Sequence, residues 1–302
     1  MNQHFYTTYR TYLKNRFGVP VLKIPVNASF SCPNRDGTKS FEGCTFCDNR
    51  SFSPVSSCRL SPCEQVNGAI LRSRGKYEAF LPYLQPFSNT YASVSKLRET
   101  YEPLVSIQGV VGLAVGTRPD CFNESVYEYL EEFSQRTYLS VELGLQSGHD
   151  STLQKINRGH GVEEFRTAVT RLDALGIETV AHVILGFPWE TAAMVEQTAR
   201  MLSGMPVRGV KIHQLMIVSG TAMEDLYREG GFEPVSLEVY GDLLCRFLAL
   251  LRPEQHIHRV VADSKPEFGL VAPLWSAKKQ KALAYLYSCM RENGIAQGCN
   301  RG

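Results

Sequence analysis

The chain has 302 residues, 43% of them hydrophobic and 21% charged, with a formal net charge of +2. That length and apolar share suit one large α/β domain or two modest ones, and the weak charge does not advertise a strongly basic nucleic-acid binder. No apolar run reaches the roughly 18 residues of a membrane span. The opening MNQHFYTTYRTYLKNRFG lacks the apolar core of a signal peptide, so a cytoplasmic protein without membrane contact is expected.

In chain order, an N-terminal helix is expected within residues 1–18, followed by a first strand, VLKIPV (21–26). A turn-rich loop comes next, SCPNRDGTKSFEGCTFC (31–47), with Cys32, Cys44 and Cys47 spaced C-x11-C-x2-C. The chain has nine cysteines, an odd number in a cytosolic setting that disfavours structural disulfides. Cys245 and Cys289 lie on apolar helical patterns and read as small core hydrophobes. The loop cysteines are surrounded by Pro33, Asn34, Asp36, Gly37 and Gly43, which is turn chemistry and favours ligation. Three thiolates can hold three corners of a [4Fe–4S] cube and leave one iron open. The alternative is zinc with a fourth ligand from Cys58, Cys63 or a histidine, although the spacing matches paired C-x2-C knuckles poorly. Cys58 and Cys63 could also hold a second cluster, for which companions are few.

Beyond the loop, β-rich runs alternate with helical patterns. The runs are FLPYLQPF (80–87), VVGLAVG (110–116), YLSVELGLQ (138–146), ETVAHVILGF (178–187) and GVKIHQLMIV (209–218). Between them lie EQVNGAILRSRG, VSKLRETYEPLV, ESVYEYLEEFSQ, VEEFRTAVTRLDALG and TAAMVEQTARML. About six βα units of this kind build a parallel sheet. In 111–116 and 141–146 the odd positions are bulky and apolar, whereas the even ones are small or polar, among them Glu142 and Gln146. A sheet covered on both faces would be apolar on both, so one small, polar face points to a lumen. The expected fold is therefore α/β, a partial (β/α)6 TIM-like barrel over residues 1–220, with the site at the C-terminal strand ends. Residues 221–302 are expected to form a mostly helical extension packed on the barrel. It holds TAMEDLYREGG, SLEVYGDLLCRFLALL, a short strand IHRVVAD and a last helix SAKKQKALAYLYSCMREN. No G-x-G-x-x-G follows a strand, which argues against a dinucleotide site.

Taken together, SCPNRDGT…GCTFC, LPYLQPFSNTY (81–91), GTRPDC (116–121), VELGLQSGHD (141–150), INRGHG (156–161), HVILGFPWET (182–191) and GVKIHQL (209–215) resemble the radical S-adenosylmethionine superfamily. The branch is the one related to the catalytic subunit of elongator, and in particular its compact bacterial YhcC/MnmL-type proteins. The likeness runs from about residue 15 to 280, with a departure at Asn27-Ala28, where Gly-rich sequence is expected. It implies that Cys32, Cys44 and Cys47 hold a [4Fe–4S] cluster whose open iron chelates S-adenosylmethionine. Reductive cleavage would then give a 5′-deoxyadenosyl radical, the cofactor supplying the hard chemistry.

By matching motifs, Phe46 stands beside the last cysteine and Asn89 and Thr90 fall where the methionine amino group is held. Gln146 would meet the ribose, Arg158 the methionine carboxylate and Gly186 the adenine. Glu142, His182, Lys211 and His213 are candidates on the substrate side, and Glu142 and Gln146 could instead be hydrogen-bonded lumen residues without a ligand. Arg118 and Asp120 flank Pro119 and could fix a turn by pairing with each other. The resemblance further implies action on the wobble uridine of tRNA and an electron donor such as flavodoxin or ferredoxin, with a downstream methyltransferase as a further partner. Basic residues Arg10, Lys14, Arg16, Lys278, Lys279, Lys281 and Arg291 could form a phosphate track. The alternatives are a radical enzyme acting on a small metabolite or a protein side chain, and a non-catalytic iron–sulfur scaffold or redox sensor.

Overall fold

The computed structural model describes residues 5–53 and 55–300. The first helix, α1 (Tyr9–Phe17), begins where the Thr8 side chain accepts from the Thr11 amide and ends at Gly18, φ 77°. The chain then runs through β1 (Val21–Val26), the cysteine loop, α2 (Asn49–Phe52), α3 (Pro62–Ser73), β2 (Ala79–Leu84), α4 (Val94–Val105) and β3 (Gly112–Thr117). It continues through α5 (Glu124–Ser134), β4 (Tyr138–Gln146), α6 (Asp150–Lys155), α7 (Val162–Ala174), β5 (Glu178–Leu185), α8 (Ala192–Ser203) and β6 (Gly209–Gln214). The remaining elements are β7 (Ile217–Val218), α9 (Ala222–Arg228), α10 (Leu237–Leu250), β8 (His256–Arg259), β9 (Leu270–Ala272) and α11 (Lys279–Glu292). Among the described residues no helix is long and apolar enough to cross a membrane.

Seven parallel strands, in the order β1-β2-β3-β4-β5-β6-β8, curl into a half-barrel. That is one strand more than the six expected. The seventh, β8, comes from the short IHRVVAD segment and pairs with β6. The sequence run 209–218 also divides: β6 ends at Gln214, and Ile217–Val218 pairs antiparallel with β9. Strand ends are set by backbone geometry. The run 80–87 stops at Leu84, ahead of Pro86 and of Phe87, whose φ is 64°. The run 178–187 stops at Leu185, because Gly186 adopts φ 93°.

Strand parity separates two cores. Leu113, Val115, Val141, Leu143, Ala181, Val183, Val210 and Ile212 belong to the large outer core with the helices. α1 serves the other face: its Tyr9 and Leu13 pack with Leu81, Tyr83, Ala114 and Tyr138. A bridge between Thr8 and Ile257 fixes the start of α1 beside β8. The lumen thus has an apolar floor under α1 and a polar middle.

Candidate active site

The cysteine loop leaves β1 and is held by backbone contacts from distant segments. Asn34 Nδ2 donates to the Asn157 carbonyl at 2.6 Å, and Asn157 Nδ2 donates to the Gly43 carbonyl at 2.8 Å. Lys39 Nζ reaches the Gly159 carbonyl at 2.6 Å and Asp120 at 2.6 Å. Gly159 is required here: a Cβ on it would stand 2.4 Å from Asn34 Oδ1. Arg118 and Asp120 do pair, through two bonds of 2.9 Å. Burial works against the Asp120 charge, but Arg118 and Lys39 hold its carboxyl well below the usual range. GTRPDC and INRGHG therefore act as clamps on the loop.

Cys32, Cys44 and Cys47 are free thiols lining one cleft of about 140 Å³, together with Phe46, Gln146, Arg158, Glu142 and His182. Cys44 Sγ receives Arg158 Nη1 at 3.4 Å and Asn34 Nδ2 at 3.6 Å. Burial, with the neighbouring Cys44, pushes the Cys47 thiol up to about 11. A guanidinium and an amide aimed at one sulfur are what a thiolate ligand needs, so the trio fits a metal cluster. Two enclosed oxygens, Gln146 Oε1 and Asn34 Oδ1, have no hydrogen-bond partner among the described residues, and both residues line the cleft. The cleft therefore offers unspent polar atoms to a polar cofactor such as S-adenosylmethionine. Gln146 is also held at φ 78°, a left-handed conformation uncommon for its type.

Arg158 passes behind β4. Its Nε and Nη2 donate to the Gly144 carbonyl at 3.2 and 2.6 Å, and a Cβ on Gly144 would stand 2.5 Å from Nη2. Asn89, Thr90 and Gly186 do not line the cleft. Asn89 Nδ2 bonds the carbonyls of Leu84, Pro86 and Gly116, tying the end of β2 to β3. Thr90 Oγ1 bonds Thr117 Oγ1 at 2.6 Å and the Cys121 carbonyl at 2.7 Å. Gly186 makes room for Val235, whose Cγ2 would stand 2.7 Å from a Cβ there. Cys58 and Cys63 are free thiols outside this cleft.

The lumen converges on Glu142, which is fully buried. Its Oε2 accepts from His182 Nε2 at 2.6 Å and Lys211 Nζ at 2.9 Å, and its Oε1 bonds Lys23 and faces His258 Nδ1 at 3.4 Å. Burial opposes the Glu142 charge, yet Lys211, Lys23 and His258 outweigh it and hold the carboxyl well below its ordinary value. Burial, with the Lys211 charge beside it, pushes His182 down to about 3. It is a neutral imidazole that donates from Nε2. Burial also pushes Lys211 down to about 7; Glu142 resists, and Lys23 and Arg259 add to the fall. Tyr83 accepts from Lys211 at 3.0 Å, and the ammonium of Lys23 lies 4.0 Å from its ring centroid. His213 bonds the Gln214 carbonyl at 3.2 Å and does not touch Glu142. Glu142, His182 and Lys211 therefore meet, as their strand faces suggest. Lys23, Tyr83, His258 and Arg259 were not among the candidates; a lone lysine inside VLKIPV was the one available signal.

The sequence matches the Radical SAM superfamily over residues 31–202 and the Radical_SAM C-terminal domain over residues 207–292. It is 36% identical to YtqA of Bacillus subtilis (strain 168), covering 97% of this chain and 92% of that one. It is 36% identical to protein YhcC of Escherichia coli (strain K12), covering 94% and 91%. A tRNA uridine(34) acetyltransferase of Dehalococcoides mccartyi (strain CBDB1) is 29% identical over 51% of this chain and 33% of its own length. The fold is similar to that of the archaeal Elp3 of Methanocaldococcus infernus, with TM-score 0.72 and 16% identity over 92% of this chain and 64% of that chain. The half-barrel, the thiol trio in its cleft and these matches make the chain a member of the radical SAM superfamily, in its elongator-related branch.

Proposed function

We propose that the protein uses a [4Fe–4S] cluster on Cys32, Cys44 and Cys47 to cleave S-adenosylmethionine, and that it modifies the wobble uridine side chain of tRNA. The observation that carries the first half is the free-thiol trio lining one cleft with Gln146 Oε1 and Asn34 Oδ1, which have no partner among the described residues. Cys32, Cys44 and Cys47 would hold the cluster, which, once reduced by an external donor, would supply one-electron chemistry for opening the sulfonium bond. The chain's own groups do the rest. Arg158 and Asn34 stabilise the Cys44 thiolate, Phe46 closes the apolar side, and Gln146 accepts from the cofactor's hydroxyls. Glu142 fixes the Lys211 ammonium and the neutral His182 ring on the substrate side. Thiols that must stay reduced suit a cytoplasmic setting, with flavodoxin or ferredoxin as donor.

The tRNA half is supported by the likeness to the tRNA uridine(34) acetyltransferase. A second reading has an observation of its own. Arg16 and Lys279, two members of the expected phosphate track, are already paired with Glu178 and Asp263. That favours a small metabolite or a protein side chain. Comparative nucleoside analysis of tRNA from cells with and without the gene decides: a changed wobble uridine is expected, and an unchanged profile removes the tRNA half. Anaerobically reconstituted protein should form 5′-deoxyadenosine under strong reductant. Cluster-loaded protein that forms none would be a scaffold.

A further inference from the structure

The lumen holds more positive groups than it neutralises. Glu142 takes up Lys23 and Lys211. Among the described residues the Arg259 side chain has no hydrogen bond or ion pair, and its Nε is enclosed without a partner. The nearby Asp263 carboxylate is exposed and spent on Lys279 at 2.6 Å. A half-buried guanidinium with one nitrogen enclosed and no ion-pair partner is a ready place for an anion to join.

Its direction follows from the strand register. Between β6 and β8 the pairing runs Val210 to Ile257, then Lys211 to Arg259, so His258 is an extra residue in β8. This bulge brings Arg259, rather than His258, level with Lys211 on the lumen side. The Arg259 charge is felt by Lys211, His182 and His213, as expected from that position. The space is accessible: the side chains of Lys23, His182 and Lys211 keep 21, 18 and 11% of their surface exposed. Glu142, Tyr83 and His182 also line the cysteine cleft, so the two regions are continuous.

We propose that Lys211 and Arg259 form a receptor for an oxyanion carried by the substrate, a carboxylate or a phosphate. The planar fork of Arg259 takes two oxygens, and Lys211, already anchored by Glu142, supplies a point charge. The inference rests on reading the lumen as the substrate side and narrows the substrate to one with a small anionic group near the reacting carbon.

The test is calorimetric titration of the full chain with sodium acetate and, separately, with inorganic phosphate, against sodium chloride at matched ionic strength. Wild type should bind at least one of the two saturably. Arg259→Gln should bind it at least tenfold more weakly, and Arg259→Lys should fall between. Preference for acetate assigns a carboxylate, and preference for phosphate a phosphate ester. Binding no stronger than chloride in wild type overturns the proposal, as does equal affinity in a folded Arg259→Gln. If circular dichroism shows Arg259→Gln unfolded, wild type and Arg259→Lys decide, and equal affinity there overturns it too. The titration contains neither S-adenosylmethionine nor RNA. Its failure therefore leaves radical chemistry standing, and failure to form 5′-deoxyadenosine leaves the anion receptor standing.

Discussion

Glu142 accepts from Lys211, Lys23 and His182 while wholly enclosed, so its charge and those around it are interdependent. Glu142→Gln leaves two buried ammonium groups short of a counter-charge, and about 3–5 kcal/mol of stability should be lost at neutral pH by urea unfolding. The pH dependence has a definite sign. Glu142 has its folded value below the ordinary 4.5, so its contribution is present above that range and disappears as the pH falls through it. Wild type and variant should therefore converge in acid. Lys211 is lowered as well, here against its charged form, and nitrogen NMR of lysine-labelled protein should show one ammonium titrating near 7. The same resonance should titrate lower still in Glu142→Gln, because the attractive charge is gone. A Lys211 signal near its ordinary 10.5 would refute this account of the lumen. Strand alternation made Glu142 and Lys211 legible beforehand. Arg259 was not, since an extra residue in its own strand decides which way it faces.

At the scale of elements, the ends of the strands do most of the positioning. Asn89 spends both amide hydrogens on three carbonyls, two after β2 or at its end and one in β3. Asn89→Ala should cost about 2–3 kcal/mol, read as a lower denaturation midpoint with an unchanged slope. An unperturbed midpoint would return Asn89 to the list of groups free to meet a ligand. The motif LPYLQPFSNTY is visible in the sequence, but the partners of its side chains are not, because Gly116 lies far along the chain. The cysteine loop behaves similarly. Its spacing announces ligation, whereas the clamps from Asn157 and Lys39 depend on how α6 and β3 end. β1, β4 and α4 were readable because continuous apolar or periodic runs coincide with their bounds.

For the whole molecule, residues after 220 complete the sheet as well as decorating it. β8 covers the edge of β6, and α10 buries Tyr240, Leu244, Phe247 and Leu248 in the outer core beside α8. Arg252 bonds the carbonyls of Met205 and Val207 at 2.7 and 2.9 Å, pinning the turn into β6. A chain ended at residue 220 should aggregate, or bind a hydrophobic dye without a cooperative melt. A soluble, cooperatively melting fragment would show that the first six strands are self-sufficient. The helical patterns after 220 were legible. The membership of IHRVVAD in the main sheet was not, because parallel pairing leaves no local signature in either strand.

The seam between Thr8 and Ile257 also orders events in time. The Ile257 amide bonds the Thr7 carbonyl at 2.7 Å, so α1, whose Tyr9 and Leu13 pack on β2–β4, lacks its contact with β8 until that strand has been made. At translation rates of roughly 5–20 residues per second that delay is on the order of ten seconds or more. Throughout it the start of α1 has no strand beside it at Thr8. That side of the sheet is therefore completed only when two remote ends of the fold have met.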